Sequence, residues 1–307
     1  MFIETTLILF IALLIDSVIG DPRRYHPLSG FGHCANWLER KLNDPSWSHN
    51  RVSGIVSLLV LVLPFVLLVY WLRNLAGQPW LIDVLVVYFA IGRKSLIQHA
   101  RAVMVPLQQG QLETAREKVA MIVSRDTGSM QEHDVLRAGL ESIIENSNDA
   151  IFGAIFWYLL AGVEGVLVYR LVNTLDAMWG YKTNRFMMFG WAAAKFDDLL
   201  NWLPSRLTVF TFAILSGHLI AVIKTSFRQG RACSSPNAGP VMAAGASALA
   251  ICLGGAASYH GQVINKPVLG FGAQPVVADL ERAMNLVNQS VVLWLFVFFV
   301  VAVIGVI

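Results

Sequence analysis

Residues 150–172 read Ala150-Ile-Phe-Gly153-Ala-Ile-Phe-Trp157-Tyr-Leu-Leu-Ala161-Gly162-Val-Glu164-Gly165-Val-Leu-Val-Tyr169-Arg-Leu-Val172, and how this stretch is read decides the fold. It is long and apolar enough to be one bilayer span, for which roughly 20 apolar residues suffice. Gly162, Glu164 and Gly165 nevertheless break it into two halves, neither of which is a comfortable span. Read as a broken or re-entrant helix pair, it returns the chain to the side it left. Such non-helical backbone is tolerated at membrane depth where protein or a cavity covers it.

Charge outside the stretch favours the return. Arg23, Arg24, Arg40, Lys41 and Arg51 follow the first apolar segment, only Arg73 follows the second, and seven basic residues lie between Arg93 and Arg137. Basic loops face the cytoplasm. Strict alternation would then expel the loop with Lys182, Arg185, Lys195 and Arg206, although it too is basic. Doubling back at Gly162 removes that conflict.

Composition supports a membrane setting: of 307 residues, 56% are hydrophobic and 14% charged, with a mean hydropathy of +0.58. The expected spans are Phe2 to Ile19, Val52 to Trp71, Trp80 to Ile91, Ala150 to Val172, Leu207 to Ile223, Val241 to Leu253 and Ser290 to Ile307. The first has neither a basic n-region nor a cleavage site and reads as a retained anchor. The fold class is therefore all-α: a polytopic integral membrane helical bundle, one membrane domain over 1–307, with amphipathic cytoplasmic helices in an insertion at about 93–149. Within it Leu112 to Val123 and Gln131 to Asp149 both show helical spacing.

Polar groups flank the broken stretch. Before it stand Ser124-Arg125-Asp126-Thr127 and Glu141-Ser-Ile-Ile-Glu145-Asn146-Ser-Asn148-Asp149; after it come Asn173-Thr-Leu-Asp176 and Lys195-Phe-Asp197-Asp198-Leu-Leu-Asn201. Arg137, Glu141, Glu145 and Asp149 recur every four residues, and like charges so spaced destabilise an isolated helix by a few tenths of a kcal/mol per pair. Either water and Arg137 solvate this face, or a cation sits against it. Magnesium suits oxygen ligands and is often held by one or two carboxylates plus substrate phosphates. Asp197 and Asn201 share a face at i,i+4. Asp197-Asp198 would be favoured in the first turn of a helix, and Arg206 would serve as an interfacial anchor.

Several chemistries are excluded. There is no G-x-x-x-x-G-K-[ST], no complete dinucleotide fingerprint and no H-E-x-x-H. The seven histidines are isolated, and Cys34, Cys233 and Cys252 form no C-x-x-C pair, so they read as packing residues. The net charge of +3 is spread over loops, which fits membrane orientation and not nucleic-acid binding.

Taken in order, Ile19-Gly-Asp-Pro22 with His26-Pro27, Arg125-Asp-Thr127, Glu145-Asn146 with Asp149, Tyr169 to Asp176, Gly180-Tyr-Lys182, Asp197-Asp198, Asn201 and Pro204-Ser-Arg-Leu207 resemble the CobD/CbiB family of cobalamin-biosynthesis membrane proteins. Ser235-Pro-Asn237, Gly254-Gly255, Tyr259 with Gly261, and Lys266-Pro267 continue the likeness, which covers nearly the whole chain. Ser124, Ala150 and Pro240 depart from the family pattern without removing a charged or amide group.

The resemblance implies an adenosylcobinamide-phosphate synthase. Such an enzyme joins a carboxylate of adenosylcobyric acid to 1-amino-2-propanol or its O-phosphate, with ATP as co-substrate and Mg2+. On that basis Asp176, Asp197 and Asp198 are the expected catalytic acids. Arg125, Asn146, Asn173, Lys182, Asn201, Arg206 and Asn237 are the expected substrate and phosphate contacts, and Asp126, Glu141, Glu145 and Asp149 the expected metal ligands. All are expected to converge on one cytoplasm-facing pocket of a bacterial inner-membrane protein, self-associating or assembled with other corrinoid-pathway membrane enzymes. A transporter of a corrinoid or small solute, using broken helices and intramembrane carboxylates, and a non-catalytic sensor on the same scaffold are the other classes the residues allow.

Overall fold

The computed structural model describes residues 2–22, 26–44, 50–259 and 262–305. Arg23, Arg24, His49, His260 and Gly261, used above, lie outside the described residues, as does the side chain of Tyr259. In chain order the helices are α1 (Phe2–Val18), α2 (Pro27–Leu42), α3 (Asn50–Leu75), α4 (Pro79–Ala90), α5 (Arg93–Gln108), α6 (Leu112–Ala120), α7 (Glu132–Ser147), α8 (Gly153–Trp179), α9 (Trp191–Leu200), α10 (Trp202–Ser216), α11 (Leu219–Gly230), α12 (Ala238–Ala248) and α13 (Ala278–Ile304). A π-helical turn, Asn148–Phe152, joins α7 to α8, and strands β1 (Cys252–Tyr259) and β2 (Gln262–Gly270) form an antiparallel pair. Two compact units result: Met1–Gly92 with Gly153–Asn201 and Val301–Ile307, and Arg93–Phe152 with Trp202–Val300.

The protein is a multi-pass membrane protein. Asn50–Leu75, Glu132–Trp179 and Ala278–Ile304 are helical runs long and apolar enough to cross a bilayer, and α9 with α10 forms a broken pair that passes the same test. Val60, Leu63 and Leu67 of α3 and Val292, Phe296 and Phe299 of α13 are exposed. Such faces are a liability in water and are what a lipid-facing helix presents. The helices α1 and α4, with 17 and 12 residues, fall below that length. Two expected spans are corrected. Leu207 to Ile223 is interrupted at Gly217, where α10 ends and α11 begins. Val241 to Leu253 is the buried helix α12 running into β1; its alanines and glycines serve close packing and not lipid contact.

The first unit is organised by a reversal inside α8. Ala161 and Gly162 leave helical geometry, with Gly162 at φ 67°. That left-handed region favours glycine, because a Cβ there meets the backbone. A straight helix would place Gly153 and Tyr169 about 24 Å apart. Instead, a Cβ on Gly153 would overlap the Tyr169 hydroxyl. Trp157 and Tyr169 also donate to neighbouring acceptors, the Leu200 carbonyl and Asn201 Oδ1, both at 2.9 Å. The segment is therefore a helical hairpin, as the breaks at Gly162, Glu164 and Gly165 predict.

The tip of the hairpin meets the end of α3. Arg73 binds Asp83 through Nε at 2.7 Å and Nη2 at 3.0 Å, and Glu164 through Nη1 at 2.7 Å. Asp176 lies twelve residues beyond Glu164, about 18 Å along the helix. One end of the unit thus carries an ion triad and the other the candidate acids.

That other end is held by α2. Arg185, in the 180–190 turn, donates to both oxygens of Glu39, at 3.0 and 2.7 Å, and Asn43 Nδ2 adds a third bond at 2.6 Å. The sequence Gly20-Asp21-Pro22 turns the chain out of α1, and His26 caps α2 by accepting the Leu28 N–H at Nδ1. Burial holds the His26 imidazole below its ordinary pKa, with Asp21 pulling upward and Arg170 pushing further down, which keeps that acceptor available.

Two outcomes follow for the folded chain in detergent. Gly153→Ala forces the arms of the hairpin apart and lowers the thermal midpoint, at about 1–3 kcal/mol for overpacking, whereas Gly30→Ala, with nothing within 4 Å, leaves it unchanged. Equal midpoints for the two variants would show that the arms do not touch. Burial alone would raise the Glu39 pKa, but Arg185 and Asn43 outweigh it and set it below 4.5. A depressed carboxylate stabilises the fold above its unfolded pKa and loses that contribution as pH falls through the folded value. The stability gap between wild type and Glu39→Gln should therefore close below about pH 4.5, as read by unfolding across pH.

Candidate functional site

Each unit contains its own polar cluster built from residues singled out in the sequence. In the first unit the centre is Asp197, which is 9% exposed. Its carboxylate accepts from Asn173 Nδ2 and from Asn201 Nδ2, both at 3.1 Å. Tyr169 donates to Asn201 Oδ1, and Arg170 Nη1 to Asn173 Oδ1 at 3.2 Å, so five side chains of α8 and the α9 end hold one another. The i,i+4 pairing of Asp197 with Asn201 is seen directly. The plain structural alternative for Asp197 and Asp198, a place in the first turn of a helix, does not hold; they occupy the last turn of α9, where the dipole disfavours negative charge. The amide donors are the local compensation.

Asp176 lies within electrostatic reach of Asp197 and Asp198. A Cβ on Gly180 would overlap its carboxylate, so the residue after Trp179 leaves room for the acid to fold back on the helix end. Asp198 pairs with the exposed Lys195 at 3.3 Å. Lys182 is exposed in the 180–190 turn.

In the second unit the centre is Glu141, which is 3% exposed. It is ion-paired with Arg125 and with Lys266, the latter at 3.6 Å, and accepts the Gly254 N–H at 2.9 Å. The positive partner demanded by the acid stripe is thus supplied by the chain itself. Arg137 does not solvate the stripe; it binds Asp134 at 2.6 Å and the Gly254 carbonyl at 3.0 Å. Gly254 sits at a β-bulge with φ 85°, which releases its N–H and C=O from the ladder. Two side chains four apart on α7 take both groups. Asp126 binds the same strand, accepting from the Ser258 hydroxyl at 3.2 Å while its N–H reaches the Ser258 carbonyl.

Beyond Glu141 the stripe changes register. The π turn carries Asn148 and Asp149, and π turns occur frequently at functional sites. Asn148 is 2% exposed and its Oδ1 accepts from Thr208 at 3.0 Å, while its amide donates to Asp149 at 2.9 Å. Glu145, Asn146 and Asp149 are half-buried, and Asn146 bonds back to Ser142. Arg206 reaches the Pro236 carbonyl, Ser205 and Asn237 Oδ1, the last at 2.5 Å, and lies over Trp202. It fixes the 235–237 loop in addition to any interfacial role.

Among the described residues no three His, Cys, Asp or Glu gather closely enough to cage a metal. The cysteines are free, and Cys34 is exposed and so does not pack as expected. Burial pushes the Cys233 thiol above its usual pKa, which disfavours a thiolate nucleophile. Sequence reasoning gave no site role to Gly254, Gly255 or Ser258 and did not foresee the strand that holds them, since they lie in a run of small residues without β-branching. Tyr169 was named only as part of the resemblance and given no role, because its hydroxyl's partner, Asn201, lies 32 positions away.

The model of the CobD/Cbib protein family matches residues 9–287. The chain is 46% identical over 297 residues to the cobalamin biosynthesis protein CobD of Chromobacterium violaceum, covering 95% of each chain. It is 47% identical over 286 residues to the protein of that name from Stutzerimonas stutzeri, covering 93% of this chain and 94% of the relative. For the Mycobacterium tuberculosis protein the identity is 37% over 282 residues, with 90% and 89% covered. No solved structure matches. Asn173, Asp197 and Asn201 of the first cluster and Arg125, Gly254 and Lys266 of the second are among the residues on which the sequence resemblance rested, and with a match spanning nearly the whole length this chain belongs to the CobD/CbiB family.

Proposed function

We propose that this protein is an ATP- and magnesium-dependent amide ligase of cobalamin biosynthesis, joining adenosylcobyric acid to 1-amino-2-propanol or its O-phosphate to give adenosylcobinamide or its phosphate. The supporting observation is Asp197: a buried carboxylate kept at a helix end that disfavours it, held by two amides and neighboured by Asp176. An ionisable group kept buried among the helices of a membrane protein is by default a functional-site candidate.

The chemistry requires activation, because a carboxylate oxygen leaves too poorly for an amine to displace it. The corrinoid carboxylate attacks the γ-phosphorus of ATP, ADP departs, and an acyl phosphate forms. The amine nitrogen then attacks the acyl carbon, loses a proton and expels phosphate. Asp176, Asp197 and Asp198 are the candidate proton acceptors. Asp197 already accepts two hydrogen bonds, so Asp176 beside it is the stronger candidate. Arg125, Lys182 and Arg206 would hold phosphate oxygens. Asn146, Asn173, Asn201 and Asn237 would orient substrate amides.

Magnesium bound with the nucleotide neutralises the charge of its phosphates. Glu141, satisfied by Arg125, Lys266 and a backbone N–H, fits a supporting role better than a ligand role. Glu145 and Asp149, half-buried around the π turn, fit the one or two carboxylates that magnesium takes beside phosphates. Use of ATP implies that the polar helix ends face the cytoplasm from the bacterial inner membrane. The transporter reading has less support, because Asp176, Asp197 and Asp198 lie in the last turns of their helices and not at mid-span.

Purified variants test these assignments. Asp176→Asn lowers kcat for amide formation by about 10²- to 10⁴-fold if it takes the proton, with Asp198→Asn close to wild type. Near-normal rates for Asp176→Asn and Asp197→Asn together would remove the base from this cluster. Glu145→Gln and Asp149→Asn raise the magnesium concentration needed for half-maximal rate. An unchanged magnesium titration in both would remove them as ligands, and ATP hydrolysis without corrinoid-dependent amide formation would sink the ligase reading.

A further inference from the structure

A small cavity of about 170 Å³ opens in the second unit between the Arg125–Met130 turn, α7 and β1. Its polar lining is Arg125, Asp126, Ser129, Asp134, Arg137 and Ser258. Only Arg125 and Asp126 were singled out as site residues by the sequence. Two guanidiniums and two carboxylates share the lining, with two hydroxyls between them. Pockets for nucleotide- or drug-sized ligands run to roughly 300–1,000 Å³, so this volume suits a much smaller molecule. Charges of both signs in one small space complement a ligand that itself carries both signs.

We infer that this cavity is the subsite for a small amine bearing an anionic group, and that Arg137 and Asp134 determine its specificity. The inference rests on the ligase reading and deepens it by locating the amine partner. Arg137 is positioned for the role: its Nη1 is fixed by the Gly254 carbonyl and its Nη2 by Asp134, so the guanidinium loses little freedom on binding. The β-bulge that carries Gly254 also brings Gly255 against the same guanidinium, where a Cβ would stand 2.8 Å from Nη1. Ser258 and Asp126, already bonded at 3.2 Å, add a hydroxyl and a carboxylate to the same lining. The anionic group docks on the arginines and the ammonium on Asp126 and Asp134. A neutral-headed amine adds nothing to the pairs the arginines already make with Glu141 and Asp134 and binds less well.

The test is equilibrium binding to the full chain in detergent, with radiolabelled 1-amino-2-propanol O-phosphate, the unphosphorylated amine and inorganic phosphate as probes. The phosphorylated amine should bind on the order of 10-fold more tightly than either fragment, the loss expected for one charge-assisted contact. Arg137→Gln and Asp134→Asn should each weaken it by a similar factor, with ATP binding unchanged. Because Arg137 also holds strand β1 through the Gly254 carbonyl, Ser258→Ala is the gentler second variant and should weaken the same ligand alone. Wild-type affinity in all three variants, or equal affinity for both amines, overturns the inference. Failure of the parent reading looks different: the amine would bind, and be lost in the variants, while no amide formed.

Discussion

The backbone reversal at Ala161–Gly162 is the constraint on which the first unit depends. Leaving helical geometry inside an apolar segment strands carbonyls at the end of one arm and N–H groups at the start of the next, and lipid offers neither a partner. The chain answers with chemistry at the tip. Glu164 falls in the first turn of the returning arm, where negative charge is favoured, and is tied through Arg73 to Asp83. Once the chain has turned, Gly153 can lie against Tyr169, and Tyr169 can reach Asn201. The acid cluster at the other end therefore inherits its position from a glycine that contacts none of it.

The second unit solves a comparable problem with a strand. A bulge at Gly254 frees one N–H and one C=O, and Glu141 and Arg137 absorb them. An ion pair buried this deeply is weak evidence for stability by itself, since desolvation offsets much of the attraction. Its value here is positional, because it ties the 125–130 turn, α7 and β1 to one carboxylate and so shapes the small cavity beside them.

How much of this was legible in the sequence depends on the distance between partners. The hairpin announced itself through Gly162, Glu164 and Gly165 set against a basic loop on each side. The Asp197–Asn201 pair was readable because i,i+4 neighbours on a helix must meet. The partners of Glu141 were not readable, because Gly254 and Lys266 lie far along the chain and no helical period connects them. Val241 to Leu253 misled for a related reason: an apolar run records burial without saying whether lipid or protein does the burying. The periodic stripe drew attention to Glu141 but gave no hint of its company, which in the fold is Arg125, Lys266 and the Gly254 N–H.

The tie between Glu141 and Gly254 has a consequence for the order of assembly. The two residues are 113 positions apart. At about 5–20 residues per second, a ribosome takes on the order of ten seconds to supply the second after the first. Throughout that interval α7 exists without the strand that later buries its carboxylate, and Glu141 must be kept in water or against Arg125 from the neighbouring turn. Arg125, sixteen positions before Glu141, is the partner already synthesised during that interval. Arg125 thereby acts as a temporary counterion for a nascent chain before it becomes part of a finished wall.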